Sequence, residues 1–135
     1  LCDWSSDVCS SDLVNHSRFA SGYVIREAGN PEALAYTGDT GPCPAWWEHL
    51  AALETPVRNI ITEASFPNRL EQLASVSRHL TPRLLRMELD RLPYRPKVFI
   101  YHMKSPFSEQ IQEELQLALD GYSYHLMREG EVFDF

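Results

Sequence analysis

The chain predicts an α/β layered domain, on three observations. Short runs rich in β-branched and aromatic residues, such as Val98-Phe99-Ile100-Tyr101, read as strands. Between them lie stretches with helical apolar spacing, such as Ile111, Leu115 and Leu119. Pro and Gly clusters separate the two kinds of segment. The order along the chain is β-β-α-β-α-α-β-α-β-β, with no internal repeat. Strands that alternate with helices form layered α/β domains. The helices suffice to cover one face of a sheet, as expected for half of a larger domain.

Each element has a local reason. Phe19 to Glu27 is a strand, and Ala28-Gly29-Asn30-Pro31 is a turn into a second strand, Ala33 to Thr37. The pair makes a hairpin with Asp39 just past its end. Pro42 and Pro44 interrupt the chain before a helix from Pro44 to Glu54, whose apolar positions are Trp46, Trp47, Leu50 and Leu53. Val57 to Thr62 is a short strand that delivers Glu63. Asn68 to Ser75 is helical with Leu70 and Leu73 on one face. Thr81 caps a helix with Pro82 at its first position, and Pro93 and Pro96 end it. Leu84, Leu85, Leu89 and Leu92 form its apolar face. Lys97 to Tyr101 is a strand ending at His102. A helix starts at Ser105 or Ser108, runs through Leu119 and closes at Gly121. Tyr122 to Met127 and Glu131 to Phe135 read as closing strands.

Residues 2 to 13, Cys-Asp-Trp-Ser-Ser-Asp-Val-Cys-Ser-Ser-Asp-Leu, follow neither pattern. They resemble the in-frame translation of a common sequencing-library adapter. The expectation is a non-native tail over 1–13, a genuine domain over 14–135, and a natural protein that continues upstream of Val14.

Composition narrows the function classes. The net charge is -7; without the tail, 12 basic residues face 16 acidic ones, a net of -4. That balance disfavours a broad nucleic-acid surface. No stretch approaches the ~20 apolar residues of a membrane span. Cys2 and Cys9 fall in the tail, so Cys43 stands alone in the domain and no internal disulfide forms there. Cys43 reads as a small, partly buried residue beside the Asp39 loop, and a lone Cys is a poor zinc signal.

Four polar motifs carry the candidate chemistry: Gly38-Asp39-Thr40-Gly41, Glu63-Ala64-Ser65-Phe66-Pro67-Asn68, His79-Leu80-Thr81-Pro82 and His102-Met103-Lys104-Ser105. Strand ends that deliver carboxylates or imidazoles are where α/β folds build sites. Asp39, in a glycine-flanked loop, either bridges cations with its two oxygens or simply closes a turn. Glu63 either orients a histidine or is an exposed strand-end charge. His79 either protonates a leaving oxygen or is a solvent-facing or capping histidine. His102, at a rigid strand end, is either a metal ligand or a satisfied core or rim histidine. Lys104 either offsets a phosphate or is solvated. Trp46 and Trp47 fit core packing better than base stacking. His16, His49 and His125 read as structural or surface residues.

In this order the four motifs resemble the C-terminal half of class II cyclic-nucleotide phosphodiesterases of the metallo-β-lactamase superfamily, over about Phe19 to Phe135. The Ser-Phe-Pro-Asn and His-Leu-Thr-Pro strings are fairly specific to that family. The Gly-Asp-Thr, Glu-Ala-Ser-Phe and strand-end His elements are shared with tRNA 3'-processing endonucleases. The resemblance implies half of an αββα sandwich around two zinc ions, Asp39 bridging them and His102 a ligand to one. It makes Glu63 and His79 the proton-donating dyad, Lys104 a substrate contact, and a 3',5'-cyclic nucleotide the substrate, hydrolysed to the 5'-nucleotide. The family's His-x-His-x-Asp-His motif and a further upstream histidine ligand are absent, and Ser105 follows Lys104 where the family usually has Pro. The chain alone is therefore expected to hold zinc poorly and to be inactive, while its parent is active. The alternatives are an RNA-processing endonuclease on the same scaffold and a metal-free binding module. The leading reading involves neither membrane nor nucleic acid, favours the cytoplasm with the periplasm open, and leaves a homodimer open.

Overall fold

The computed structural model describes residues 2–4, 7–16, 20–30 and 32–135, and of residues 2–13 the main chain alone. Phe19 and Pro31, expected in a strand and a turn, lie outside the described residues.

Among the described residues, seven strands form one sheet in chain order: β1 (Cys2–Trp4), β2 (Asp7–Val14), β3 (Ala20–Glu27), β4 (Ala33–Tyr36), β5 (Asn59–Glu63), β6 (Lys97–Tyr101) and β7 (Tyr124–Leu126). The first four pair antiparallel, through β3·β4; from β4 onward every pairing is parallel. A parallel step needs a crossover of a dozen or more residues, and the helices supply it. These are α1 (Pro44–Ala51), α2 (Glu71–Ser77), α3 (Pro82–Leu89) and α4 (Ser108–Ala118).

Strand alternation divides the sheet into two unlike faces. Val24, Ala35, Ile60 and Val98 stand in register on one face and are buried. There they join Trp46, Trp47 and Leu50 of α1, Leu85 and Leu89 of α3, and Ile111 and Leu115 of α4 in one core. The other face carries Tyr23, Tyr36, Ile61 and Phe99 in register. No helix covers it. Tyr23, Ile25 and Tyr36 remain 38%, 43% and 36% exposed. Phe133 and Phe135 pack edge-on against Phe99, with ring centroids 5.0 and 5.1 Å away.

Most elements follow their local signals. Thr81 Oγ1 accepts from the Leu84 N–H and Pro82 opens α3, as a cap and first-turn proline should. The differences have physical causes. The residues from Glu131 to Phe135 form no strand; their aromatic rings turn inward onto Phe99 instead of pairing main chain. Leu73, expected on one face with Leu70, is half exposed, and Ala74 takes the buried position of α2. The helix before Pro93 ends early, at Leu89, with Asp90 as its cap and Arg86 bound to Asp90 across that last turn at 2.8 Å. The strand expected from Val57 begins at Asn59. The sheet also extends into the stretch expected to be a foreign tail, where β2 pairs with β3 from Asp7↔Glu27 to Val14↔Ala20. Strand pairing uses main-chain groups and is indifferent to side-chain identity there. No helix among the described residues is long and apolar enough to cross a membrane.

Candidate functional site

The carboxyl ends of β4, β5 and β6 deliver three of the four motifs to one edge of the sheet. The Thr37 N–H donates to the Ile61 carbonyl at 3.0 Å, and Thr37 Oγ1 donates to Thr62 Oγ1 at 3.1 Å, so β4 and β5 stay locked past the last ladder residues. Gly38 turns the chain with φ 63° and projects Asp39. Gly41 then approaches the main chain of Arg78 so closely that a Cβ would sit 3.1 Å from its Cα. Asn15 stitches this loop to the end of β2: its carbonyl accepts from the Gly41 N–H at 2.7 Å and its amide donates to the Pro42 carbonyl at 2.9 Å.

Glu63 ends β5 and is fully buried. A bare carboxylate there would be costly, and four donors surround it. Oε1 accepts from the Thr40 N–H at 2.7 Å and faces His79 Nδ1 at 2.7 Å. Oε2 accepts from Ser65 Oγ–H at 2.5 Å and from the Leu80 N–H at 3.2 Å. An ionised carboxylate, which only accepts, matches this set. Because Glu63 Oε1 accepts, Nδ1 of His79 carries the proton and Nε2 is left to serve the site.

His79 reaches Glu63 because α2 stops sharply. Arg78 adopts φ 57°, and the His79 N–H then closes on the Ala74 carbonyl at 2.8 Å. The His79 ring is nearly enclosed. It stacks on His102 at 5.4 Å and meets Phe66 edge-on at 5.8 Å.

His102 follows β6 with φ 63°, an unusual conformation for a residue with a side chain. Its Nε2 lies 3.7 Å from Asp39 Oδ2, and Lys104 Nζ lies 3.2 Å from the same nitrogen. Asp39, His79 and His102 each bring one donor atom within 4.8 Å of the others. Two imidazoles and a carboxylate are the nitrogen and oxygen donors that suit zinc and related divalent ions. Tyr101 flanks them: its hydroxyl lies 3.3 Å from Asp39 Oδ1 and 3.4 Å from the Tyr36 hydroxyl. Burial raises the Tyr101 phenol above its ordinary range, and the Tyr36 hydrogen bond and the Asp39 charge add to it. It stays a neutral donor.

The structure thus brings Asp39, Glu63, His79, His102 and Lys104 to one edge. It also adds residues that sequence reading passed over. His16, read as structural or surface, meets His79 edge-on at 5.2 Å, and its Nδ1 lies 3.2 Å from the Arg78 carbonyl. Ser65 and Thr40 contact Glu63 directly. Ser65 stood inside a quoted motif; His16 stood beside Asn15 with no local signal. His49 and His125 lie elsewhere, as expected, His49 stacked on Trp46 and His125 paired with Glu131. Cys43 sits at the start of α1 rather than in the site.

No family model matches the chain, and no curated protein sequence does. Solved structures do match. The metallo-β-lactamase fold protein YhfI from Bacillus subtilis superposes with a TM-score of 0.77 at 10% identity, covering 98% of this chain and 51% of that one. Human tRNase Z, short form, gives 0.72 at 13% identity over 99% of this chain and 45% of that one. Unliganded yeast PDE1 gives 0.66 at 19% identity over 89% and 43%. The chain spans about half the length of each. Its fold is half of a metallo-β-lactamase-like αββα sandwich, one sheet with the described helices on one face.

Proposed function

We propose that this chain belongs to a metal-dependent phosphodiesterase that hydrolyses 3',5'-cyclic nucleotides to 5'-nucleotides, and that residues 14–135 form the C-terminal half of its catalytic domain. The observation that carries the reading is the buried Glu63–His79 pair beside Asp39 and His102. Asp39 and His102 would hold divalent metal, zinc by their donor chemistry, with a second ion expected in the parent. Bound there, the metal supplies positive charge against the anion that develops on the phosphoryl oxygens.

The chain's own residues do the rest. Glu63 orients His79 through Nδ1–H and stabilises its imidazolium form. The proton on Nε2 passes to the departing 3'-oxygen. Lys104 sets an ammonium against the phosphate as a point charge. The Ser-Phe-Pro-Asn and His-Leu-Thr-Pro strings support a cyclic nucleotide as substrate. The similarity to human tRNase Z favours a second reading, cleavage of an RNA phosphodiester at the same site. We also propose that residues 1–13 are foreign to the natural protein.

Assay of the parent, recovered from upstream genomic sequence, decides between the substrates. Cyclic AMP or GMP hydrolysis lost on Glu63→Gln and His79→Ala supports the leading reading. Cleavage of precursor tRNA with no cyclic-nucleotide turnover overturns it. The 135-residue chain alone is expected to be inactive; chelator-sensitive cyclic AMP hydrolysis by it would contradict that.

A further inference from the structure

We propose that Ser65 is a positioning residue for His79, holding the proton on Nδ1 and tying the His79 loop to the His102 loop. The proposal rests on the reading of Glu63 and His79 as a working pair. Ser65 is fully buried, two residues beyond Glu63 at the end of β5. Its hydroxyl has a single proton, given to Glu63 Oε2 at 2.5 Å. The oxygen therefore turns its lone pairs toward His79 Nδ1, 3.3 Å away. The Nδ1–H is shared between two acceptors, Glu63 Oε1 at 2.7 Å and Ser65 Oγ. Neither can donate to Nδ1, so the alternative tautomer has no partner on that side. Glu63 by itself fixes one contact; Ser65 adds a second and closes the triangle, which limits rotation of both side chains.

The main chain of Ser65 does the coupling. Its N–H donates to the Leu80 carbonyl at 3.0 Å, and its carbonyl accepts from the Lys104 N–H at 3.2 Å. Leu80 follows His79, and Lys104 lies two residues beyond His102. One residue thus joins the dyad to the loop that carries a candidate metal ligand.

Long-range proton–nitrogen spectra of the histidine-labelled chain, without metal or substrate, test this. The wild type should show His79 as the Nδ1–H tautomer with that proton slow to exchange. Ser65→Ala should speed its exchange roughly tenfold, the effect of one lost buried hydrogen bond, and Ser65→Thr should restore it. A folded Ser65→Ala chain with unchanged exchange overturns the proposal, as does a wild type whose neutral His79 carries its single proton on Nε2. If Ser65→Ala does not fold, exchange in Ser65→Thr decides: wild-type rates support the proposal, and rates as fast as an exposed histidine overturn it. Adding Co2+ to the same sample tests metal binding separately. Failure there counts against the phosphodiesterase reading and leaves the tautomer result standing.

Discussion

Glu63 makes four contacts through two oxygens, and every neighbour offers a proton. That saturation explains how a carboxylate survives full burial. It also makes the residue intolerant of a neutral isostere. Glu63→Gln keeps the shape but points an amide NH2 at donors, leaving at least two buried polar groups unpaired. We expect a loss of about 1–3 kcal/mol of stability, the usual cost of such groups, read from urea unfolding followed by the buried tryptophans. A midpoint equal to wild type would mean that the pocket rearranges around the amide. The left-handed backbone at His102 belongs to the same scale. It turns the imidazole back toward Asp39 where an extended residue would have carried it onward.

Among the elements, α1 and α3 are joined by a buried acid. Glu88 of α3 is almost inaccessible, pairs with Arg91 at 2.8 Å and accepts a main-chain hydrogen bond from Cys43 at the start of α1. Burial raises its pKa above the ordinary value, against the opposing pull of Arg91. A group whose folded pKa is raised stabilises the fold fully below its unfolded pKa, and that share is lost as pH rises through the folded value. Stability of the wild type should therefore fall from pH 4.5 toward neutrality by an amount that Glu88→Gln does not show, seen as converging urea midpoints at the higher pH. Parallel midpoints across that range would contradict it. The approach of Gly41 to Arg78 is the second junction between elements, and it sets where His79 begins. Gly41→Ala should push the two loops apart and lower the melting temperature, since main-chain atoms cannot swing aside as a side chain can.

At the scale of the whole molecule, helices cover one face of the sheet, while the C-terminal phenylalanines pack on Phe99 on the other. Tyr23, Ile25 and Tyr36 stay partly exposed on the face that carries no helix among the described residues. Two of the proposed ligands, Asp39 and His102, stand at the edge of that face. The expected consequence is weak metal binding by this chain: visible absorbance on adding Co2+ should saturate only at high concentration and vanish in Asp39→Asn and in His102→Ala. Tight stoichiometric binding, or binding that both variants retain, would show that the site is built otherwise.

Much of this was legible in the residues alone. The strand Lys97–Tyr101, the capped start at Thr81-Pro82, the burial of Trp46 and Trp47, and the α/β class all follow from short-range rules, because periodicity and capping act within a few residues. Three of the four motifs could be placed because strand ends are visible in sequence, and the fourth because Thr81-Pro82 marks a helix start. What only the tertiary structure decided is which groups meet. His16 and His79 are 63 residues apart in chain count yet touch edge-on, and Ser65 became a hub only once the Leu80 and Lys104 main chains closed on it. The failed strand at Glu131–Phe135 has the same cause: its aromatic rings found Phe99, a partner that no local pattern reveals. Side-chain chemistry is written residue by residue, whereas contact between distant residues is set by the sheet register and crossovers that bring them together.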